Sequence, residues 1–306
     1  MVRVALAGCA GGFGTQILEA ILASGKHSVV LLSRTAKHSL TDRGVDVRIV
    51  DYADHASLVF ALQGVHTIIS TISVDGPESQ LALLEAAKEA GAKRFAPSEF
   101  AGQSNEGVDL YAAKIKVWEA CQASGLECTR FVCGVFLNTM VFGTPKNQEE
   151  ALGGLRPFNY IVDIPAGIAD IPGDGKMPVS FTSTQDVGRF VAASLDLEHW
   201  GPVSGMAGDK KTYDEVVEIA ERVTGGKKKI LRRYTSIEEL RKKAEEDGVD
   251  RWLKFLYQGG VMVADGSVDF APNLNKLLPH VRPIGVEEFL RKYWEGVELP
   301  EPAWTK

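Results

Sequence analysis

The stretch Val2-Arg3-Val4-Ala5-Leu6-Ala7-Gly8-Cys9-Ala10-Gly11-Gly12-Phe13-Gly14 opens the chain. Its first six residues form a short, mostly apolar run, which is typical of a buried β-strand. Apolar residues then recur at helical spacing at Ile17, Leu18 and Ile21. The glycines between the two patterns have no Cβ, so the backbone can turn sharply there. The stretch therefore predicts a strand, a tight turn and a helix.

The turn has glycines at Gly8, Gly11 and Gly14, a G-x-x-G-x-x-G spacing one residue looser than the commonest dinucleotide fingerprint. A pyrophosphate can come close to such a backbone, and the free N–H groups of a helix N-terminus attract its negative charge. Because the motif follows a strand and opens a helix, it favours a dinucleotide site over a plain glycine-rich turn. Gly12 and Phe13 belong to the same turn and are expected at the cofactor with it.

Composition disfavours several classes of protein. The net charge is -6 and the pI is about 5.6, so the positive field expected of a nucleic-acid-binding protein is missing. No leader peptide precedes Val2 and no apolar run reaches the ~20 residues that span a bilayer, so we expect no membrane association. The six histidines are scattered, which predicts no metal site. The four cysteines form no C-x-x-C pair, and a reduced, cytoplasmic location is expected.

Strand and helix patterns alternate through the first half of the chain. Strands are predicted over 28–32, 45–50, 65–72, 94–96 and 128–136, and helices over 57–62, 80–90 and 111–124. Such alternation is typical of an α/β fold with a Rossmann-type doubly wound parallel sheet. We assign residues 1–138 to a nucleotide-binding domain of this kind.

Beyond Asn138 the pattern is interrupted by many glycines and prolines, which predicts a smaller, irregular α/β substrate-binding domain over 139–306. Residues 180–200 are expected to return to the first domain, with Asp186 as the N-cap of a helix over 187–195. Further helices are predicted over 213–223, 236–247 and 286–296. The loop over 143–157 is a candidate lid. Phe255, Tyr257, Met262 and Phe270 are candidates for the core or for a pocket wall, and the core is the commoner place for such side chains.

The end of the second strand carries Arg34, with Lys37 close behind it. In this fold an acidic residue at that point binds the ribose 2′-hydroxyl of NAD, whereas an arginine can bind the 2′-phosphate of NADP. Arg34 and Lys37 therefore indicate NADP. The alternative is that both are ordinary solvated charges of a loop.

Two further sets of polar residues could face the same crevice. The fourth strand ends in Ser70-Thr71-Ile72-Ser73, a small polar tip where Thr71 and Ser73 could contact a flat ring, or which could be a simple strand end. On the helix over 111–124, Tyr111 and Lys114 are three residues apart and share a face, which suggests catalysis. The alternative is a half-buried tyrosine and a solvated lysine.

These motifs resemble the isoflavone-reductase and NmrA-like branch of the atypical short-chain dehydrogenases. The resemblance rests on the glycine turn, Ser33-Arg34, the strand tip at 70–73, Gln80, and above all Arg94-Phe95-Ala96-Pro97-Ser98-Glu99-Phe100, which is similar to the R-F-x-P-S-E-F signature of that family. The segment Ala113-Lys114-Ile115-Lys116-Val117 matches the family segment that carries the catalytic lysine. The Y-x-x-x-K pair of common short-chain enzymes is absent, because two residues and not three separate Tyr111 from Lys114.

The resemblance implies an NADPH-dependent reductase of secondary metabolism that transfers hydride to a small aromatic or conjugated carbonyl, ene or imine. It further implies that Pro97, Ser98, Glu99 and Phe100 lie at the cofactor, and that Lys114 lies beside the nicotinamide as the catalytic lysine, with Tyr111 on the same face. The alternative function is a redox-sensing regulator that binds NAD(P) without catalysis, for which Lys114 has no use. A purely structural protein would leave the glycine turn and Arg34 without a purpose.

Overall fold

The computed structural model describes residues 1–73, 75–226, 228–302 and 304. Strand and helix alternate through the first part of the chain, as predicted. The elements are β1 (Arg3–Ala7), α1 (Gly14–Ser24), β2 (Ser28–Ser33), α2 (His38–Thr41), β3 (Asp46–Ile49), α3 (His55–Ala61), β4 (Thr67–Ser70), α4 (Pro77–Glu89), β5 (Arg94–Ala96), a 3₁₀ turn (Asp109–Tyr111), α5 (Ala112–Ala123) and β6 (Glu127–Cys128).

The six strands form one sheet in the order β3-β2-β1-β4-β5-β6, and every neighbouring pair is parallel. The chain winds outward from β1 in one direction and then returns to place β4 on its other side, so the switch point lies between β1 and β4. Helices cover both faces. Val4 and Leu6 pack with Ile17 of α1, whereas Ala5 and Ala7 pack with side chains of α3 and α4. The predicted doubly wound α/β fold is confirmed.

The second part of the chain forms smaller sheets and helices. Its elements are β7 (Arg130–Val132), β8 (Val135–Phe136), a 3₁₀ turn (Leu137–Met140), α6 (Gln148–Leu152), β9 (Val162–Asp163), β10 (Ile168–Pro172), β11 (Val179–Thr182), α7 (Thr184–Ser194), β12 (Val203–Gly205), β13 (Asp209–Lys211), α8 (Tyr213–Val223), β14 (Leu231–Thr235), α9 (Ile237–Ala244), α10 (Arg251–Ala264), α11 (Asn273–Leu277) and α12 (Val286–Trp294). The small sheets have the orders β14-β10-β9, β13-β11-β8 and β12-β7.

The single strand predicted over 128–136 is wrong. The structure divides this stretch among β6, β7 and β8, which pair with β5, β12 and β11 respectively. Gly134 separates β7 from β8 with a φ of 67°, where the chain turns close against the backbone of Ser180. The apolar run is continuous in sequence, but its three pieces belong to three different sheets.

The predicted N-cap of the helix over 187–195 is also wrong. Ser183 caps α7, because its side chain accepts a hydrogen bond from the N–H of Asp186. Asp186 lies in the first turn, fully buried, and its carboxylate accepts hydrogen bonds from the Ser183 hydroxyl at 2.7 Å and the Ile284 N–H at 3.0 Å. The helix itself packs against α1, where a Cβ on Gly188 would lie 2.3 Å from the carbonyl oxygen of Gln16. Helix α7, within residues 180–200, therefore contacts the part of the chain that forms the six-stranded sheet and its helices.

Helix α10 is the main element that the sequence patterns did not predict. The helix predicted over 213–223 matches α8, and those predicted over 236–247 and 286–296 are somewhat longer than α9 and α12. Of the four large side chains singled out in this part of the chain, Phe255, Tyr257 and Met262 lie on α10, and Phe270 is buried after it. No helix of the described chain is long and apolar enough to cross a membrane.

Candidate active site

A polar cleft opens at the carboxyl ends of β1, β2 and β4, beside the switch point of the sheet. Its volume is about 880 Å³. Six residues predicted at the cofactor line it together with their neighbours: Gly8, Gly11, Arg34, Lys37, Thr71 and Ser73. Ligands of doubly wound sheets bind at this position, and the size suits a dinucleotide.

The floor of the cleft requires glycine at position 8. The φ of Gly8 is 84°, and a Cβ there would lie 2.7 Å from the carbonyl carbon of Thr71. No side chain caps the N-terminus of α1, and its first turn contains no acidic residue. The backbone N–H groups of this turn can therefore bind an anionic phosphate.

Arg34 and Lys37 supply the positive charge of the cleft. Neither side chain forms an ion pair or a hydrogen bond with another described residue. The turn that carries them is shaped by Ser33, whose hydroxyl donates to the carbonyl oxygen of Thr35 at 2.7 Å. Tyr52 also lines the cleft, and burial raises its pKa to about 12. Two cationic side chains without protein partners are what a 2′-phosphate requires.

The other residues expected at the cofactor lie outside the lining of this cleft. Gly12 and Phe13 are beside it on the glycine turn, and Gly14 is buried at the start of α1. Pro97 is buried and the N–H of Ser98 donates to the buried Gln80 side chain at 2.8 Å, so this part of the signature fixes the loop after β5. Glu99 is buried, and Phe100 lines a different cavity.

That second cavity is apolar and has a volume of about 310 Å³. It lies between the loop after β5, the segment before α6 and the segment after it, and helix α10. The residues that line it are mostly aromatic or aliphatic: Phe100, Ala101, Gly102, Tyr111, Gly134, Val135, Phe136, Thr139, Leu155, Arg156, Phe158, Tyr160, Trp252, Phe255, Leu256, Gly259, Met262, Val263 and Val268. Such a lining binds a flat, largely apolar molecule.

The aromatic rings of this wall are in contact with one another. Trp252 lies 5.2 Å from Phe255 and 5.4 Å from Phe158, and Phe255 meets Tyr111 edge-on at 5.5 Å, measured between ring centroids. The hydroxyl groups of Tyr111 and Tyr160 form no hydrogen bond with any other described residue. Two tyrosine hydroxyls are therefore available to a polar atom of a bound molecule.

Lys114 lies directly behind this wall. Its ammonium nitrogen is 4.7 Å from the ring centroid of Tyr111, and it donates a hydrogen bond to the backbone carbonyl of Glu99. Lys114 is buried and is absent from the lining of both cavities. One of its three N–H donors is used by a protein group in the described chain, which leaves two for other partners. The structure thus brings Tyr111 and Lys114 together, with the tyrosine ring on the cavity side.

Burial controls the electrostatics of this group. Burial lowers the pKa of Lys114, while the Glu99 carboxylate opposes that shift. Burial likewise raises the pKa of Glu99, against the effect of Lys114. The second oxygen of the Glu99 carboxylate accepts a hydrogen bond from Asn105 at 2.7 Å, and the first has no partner in the described chain. A lysine with a lowered pKa exchanges protons more readily than a solvated one.

Three contacts join the polar cleft to the apolar cavity. Phe13 of the glycine turn meets Phe100 at 4.9 Å between centroids. Gly154 lies so close to the turn that a Cβ on it would be 2.3 Å from the carbonyl oxygen of Gly12. Arg251, at the start of α10, forms a 2.7 Å ion pair with Asp75, which lines the cleft. The two cavities are therefore neighbours, although no residue lines both of them.

The candidate lid over 143–157 is attached at several points. The Asn138 side chain donates to the carbonyl oxygen of Ala151 at 2.7 Å, and the Gln185 side chain donates to that of Glu150 at 2.7 Å. Gly154 touches the glycine turn, whereas Leu155 and Arg156 line the apolar cavity. Removing this segment would therefore disturb both cavities, and not the substrate side alone.

Sequence patterns missed part of the apolar cavity. No local pattern marks Tyr160 or Arg156, and the α10 side chains stand out in the sequence only as large apolar residues. The signal for α10 was present in the helical spacing of Trp252, Phe255, Leu256, Gly259 and Val263 after the N-cap Asp250. In the described chain no group of histidine, cysteine and acidic side chains is placed to hold a metal ion.

The chain is similar to known oxidoreductases over most of its length. It is 36% identical to Oxidoreductase BOA1 of Botryotinia fuckeliana over 246 residues, which cover 76% of this chain and 79% of that protein. It is 25% identical to a bifunctional pinoresinol-lariciresinol reductase of Thuja plicata over 328 residues, which cover 95% of this chain and 98% of that one. The structure of AtPrR2 with NADP⁺ and (+)-pinoresinol has the same fold, with a TM-score of 0.77, 24% identity and coverage of 95% of this chain and 98% of that chain.

The model of the NmrA-like family matches residues 2–290. The match includes the glycine turn, Arg34, the 94–100 signature and Lys114, on which the predicted resemblance rested. That prediction is confirmed, and the chain belongs to the NmrA-like family.

Proposed function

We propose that this protein is an NADPH-dependent reductase that transfers hydride to a small aromatic or conjugated carbonyl, ene or imine compound. The observation that carries the proposal is the apolar, aromatic cavity that adjoins the polar cleft and has Lys114 behind its Tyr111 wall. Residues from 100 to 111 supply one side of that cavity and residues from 134 to 268 the other. We therefore retain 139–306 as the region that mainly binds the substrate.

The comparisons confirm the predicted enzyme class, an oxidoreductase, and the predicted cofactor, NADP(H). The relatives are named oxidoreductases and reductases, and the similar structure of AtPrR2 contains NADP⁺. The cleft has the features that such a cofactor needs: a glycine turn at a helix N-terminus, an open face at Gly11, and two unpaired cations at Arg34 and Lys37. When bound, NADPH supplies the hydride.

Lys114 is the proposed proton donor. Negative charge develops on the atom conjugated to the carbon that accepts hydride, and an ammonium group nearby can stabilise that charge or deliver a proton. Three features of Lys114 support this role: its burial, its lowered pKa and its two N–H groups without protein partners. An arginine could not release a proton in the same way.

Tyr111 has a separate proposed role in the same step. Its ring faces the ammonium of Lys114, an arrangement that stabilises the charged lysine through a cation–π contact. Tyr111 lines the cavity, and burial raises the pKa of its hydroxyl, so the hydroxyl stays protonated and can donate a hydrogen bond to the substrate. Tyr111 therefore orients both the lysine and the substrate.

A substrate screen tests the proposal. Purified protein with NADPH is given phenolic aldehydes, enones and cyclic imines, and the loss of nicotinamide absorbance is followed. We expect turnover of at least one class, faster with NADPH than with NADH. Tight binding of NADPH without turnover across the whole panel would contradict the proposal and favour the NAD(P)-sensing regulator. We propose the cytoplasm as its location, in line with the four free cysteines of the chain.

A further inference from the structure

One charged side chain lines the apolar cavity. Of the nineteen described residues of its wall, Arg156 alone carries a formal charge. We propose that Arg156 binds a carboxylate on the substrate, so that the natural substrate is an aromatic or conjugated carboxylic acid whose reducible group lies at the other end. This inference rests on the proposed reductase function and narrows its substrate class.

Arg156 has no partner within the described protein. Most arginines of the described chain form an ion pair or a hydrogen bond, as Arg251 does with Asp75 and Arg233 with Asp170. Four form neither, and two of these four line a cavity: Arg34 in the polar cleft and Arg156 in the apolar one. Each cavity thus has one guanidinium free to bind an anion.

The position of Arg156 is set by its neighbours in the chain. Gly154 is held against the glycine turn, Pro157 restricts the backbone that follows, and Leu155 and Phe158 both face the cavity. Arg156 is itself exposed, next to Phe158, whose ring contacts the 44% exposed Trp252. This is the solvent-facing end of the cavity. A carboxylate bound there can stay partly hydrated, which avoids the cost of burying a charge.

The rest of the substrate must be uncharged, because the remaining wall of the cavity carries no charged side chain. The remaining wall offers the hydroxyls of Tyr111, Tyr160 and Thr139 and the indole N–H of Trp252 as its side-chain donors, and the Thr139 hydroxyl already donates to the carbonyl oxygen of Phe136 at 2.7 Å. A neutral carbonyl, ene or imine suits this end, near Lys114. At about 310 Å³ the cavity is at the lower end of the ~300–1,000 Å³ range of ligand pockets, so a compact molecule is expected.

Matched pairs of acids and esters test the inference. We suggest para-formylbenzoic acid and para-carboxybenzylideneacetone, each compared with its methyl ester, with kcat and KM measured at saturating NADPH. We expect each acid to be preferred about 10-fold over its ester, mainly through KM, since an exposed charge pair is partly screened. Arg156→Gln should remove the preference by raising the KM for each acid to about that of its ester. Arg156→Lys should keep part of it, and added salt should weaken it.

Arg282→Gln is the control, because Arg282 is another exposed arginine without a partner in the described chain and it lines neither cavity. Equal use of acid and ester by the unaltered protein, or an equal loss for both in Arg156→Gln, would overturn the inference while the reductase function stands. If no compound is reduced, the affinities of the same acids and esters for the NADP⁺ complex, measured by calorimetry, still test whether Arg156 binds the carboxylate. The inference would be overturned if the acid and its ester bind with equal affinity, or if Arg156→Gln does not weaken binding of the acid.

Discussion

The polar cleft and the apolar cavity are neighbours, but the sequence encodes them in different ways. The cleft is built from the ends of three parallel strands, each followed by a short motif: Gly8 and Gly11 after β1, Arg34 and Lys37 after β2, Thr71 and Ser73 after β4. The apolar cavity collects single side chains from between positions 100 and 268, most of them on loops and on α10. Cofactor binding therefore depends on local motifs, and substrate binding on tertiary packing.

This difference has a consequence for mutagenesis. A substitution in the cleft should affect the cofactor and leave the chemistry of bound substrate intact. A substitution in the apolar cavity should affect binding of the substrate and leave binding of the cofactor intact. Lys114 adjoins the cavity through Tyr111 without lining either site, so its loss should affect the chemical step alone.

The largest effect is expected for Lys114→Ala. General acid–base catalysis contributes roughly 10²- to 10⁴-fold, so kcat should fall by about that factor while the affinity for NADPH stays nearly constant. Steady-state kinetics and a fluorescence titration of NADPH measure the two quantities. Lys116→Ala is the matched control, because Lys116 is exposed on the same helix. Near-normal turnover in Lys114→Ala would show that another group, with the Tyr111 hydroxyl as the first candidate, delivers the proton.

The second largest effect is expected for a substitution in the apolar cavity. Phe255→Ala removes a ring that contacts both Tyr111 and Trp252. Loss of this half-buried aromatic side chain should raise KM for the substrate by about 10- to 100-fold, and NADPH affinity should not change. Leu253→Ala, on the exposed face of the same helix, should have little effect. A comparable loss of NADPH affinity in Phe255→Ala would show that α10 supports the cleft as well.

A smaller effect is expected at the cleft. Arg34→Ala should weaken NADPH binding by about 10-fold and leave NADH binding unchanged, because NADH lacks the 2′-phosphate that a guanidinium binds. The factor is limited because Arg34 is exposed and solvent screens its charge. Arg241→Ala is a control, since Arg241 is exposed, unpaired in the described chain and outside both linings. If the unaltered protein binds NADH as tightly as NADPH, Arg34 and Lys37 are the solvated loop charges of the alternative interpretation.

The same contrast explains how much could be predicted from the sequence. The glycine turn, the strand alternation and the position of the cleft were predictable, because a buried parallel strand and a glycine-to-helix turn each leave a local pattern. The positions of Arg34 and Thr71 in the cleft were predictable because each residue directly follows the end of a strand. No similar local pattern marks Tyr160, whose neighbours in the cavity are more than twenty residues away in most cases.

The errors have a common physical cause. The 128–136 run looks like one strand because its residues are apolar, and only the three pairing partners reveal that it is divided. Asp186 has the side chain of an N-cap, but Ser183 performs that role and the carboxylate binds the Ile284 N–H, almost a hundred residues away. In both cases a distant segment decides between local alternatives of similar energy.

The smallest effect concerns pH and tests whether the Glu99 carboxylate acts on Lys114. A proton donor must be protonated, so kcat should fall as the pH rises through the pKa of Lys114, which burial lowers below its ordinary value. The Glu99 carboxylate raises that pKa. Glu99→Gln removes the charge but keeps an oxygen for the Asn105 hydrogen bond, so the alkaline limb of the kcat profile should move to lower pH.

The other titratable groups facing Lys114 are Tyr111 and Cys133. Burial raises the pKa of both, that of the Cys133 thiol to about 12, so neither should produce this limb. Glu106→Gln, on the exposed part of the same loop, is the control, with melting temperatures to confirm folding. An alkaline limb that stays in place, or moves upward, would mean that the charge of Glu99 does not reach the ammonium and that its hydrogen bonds serve only to hold the loop.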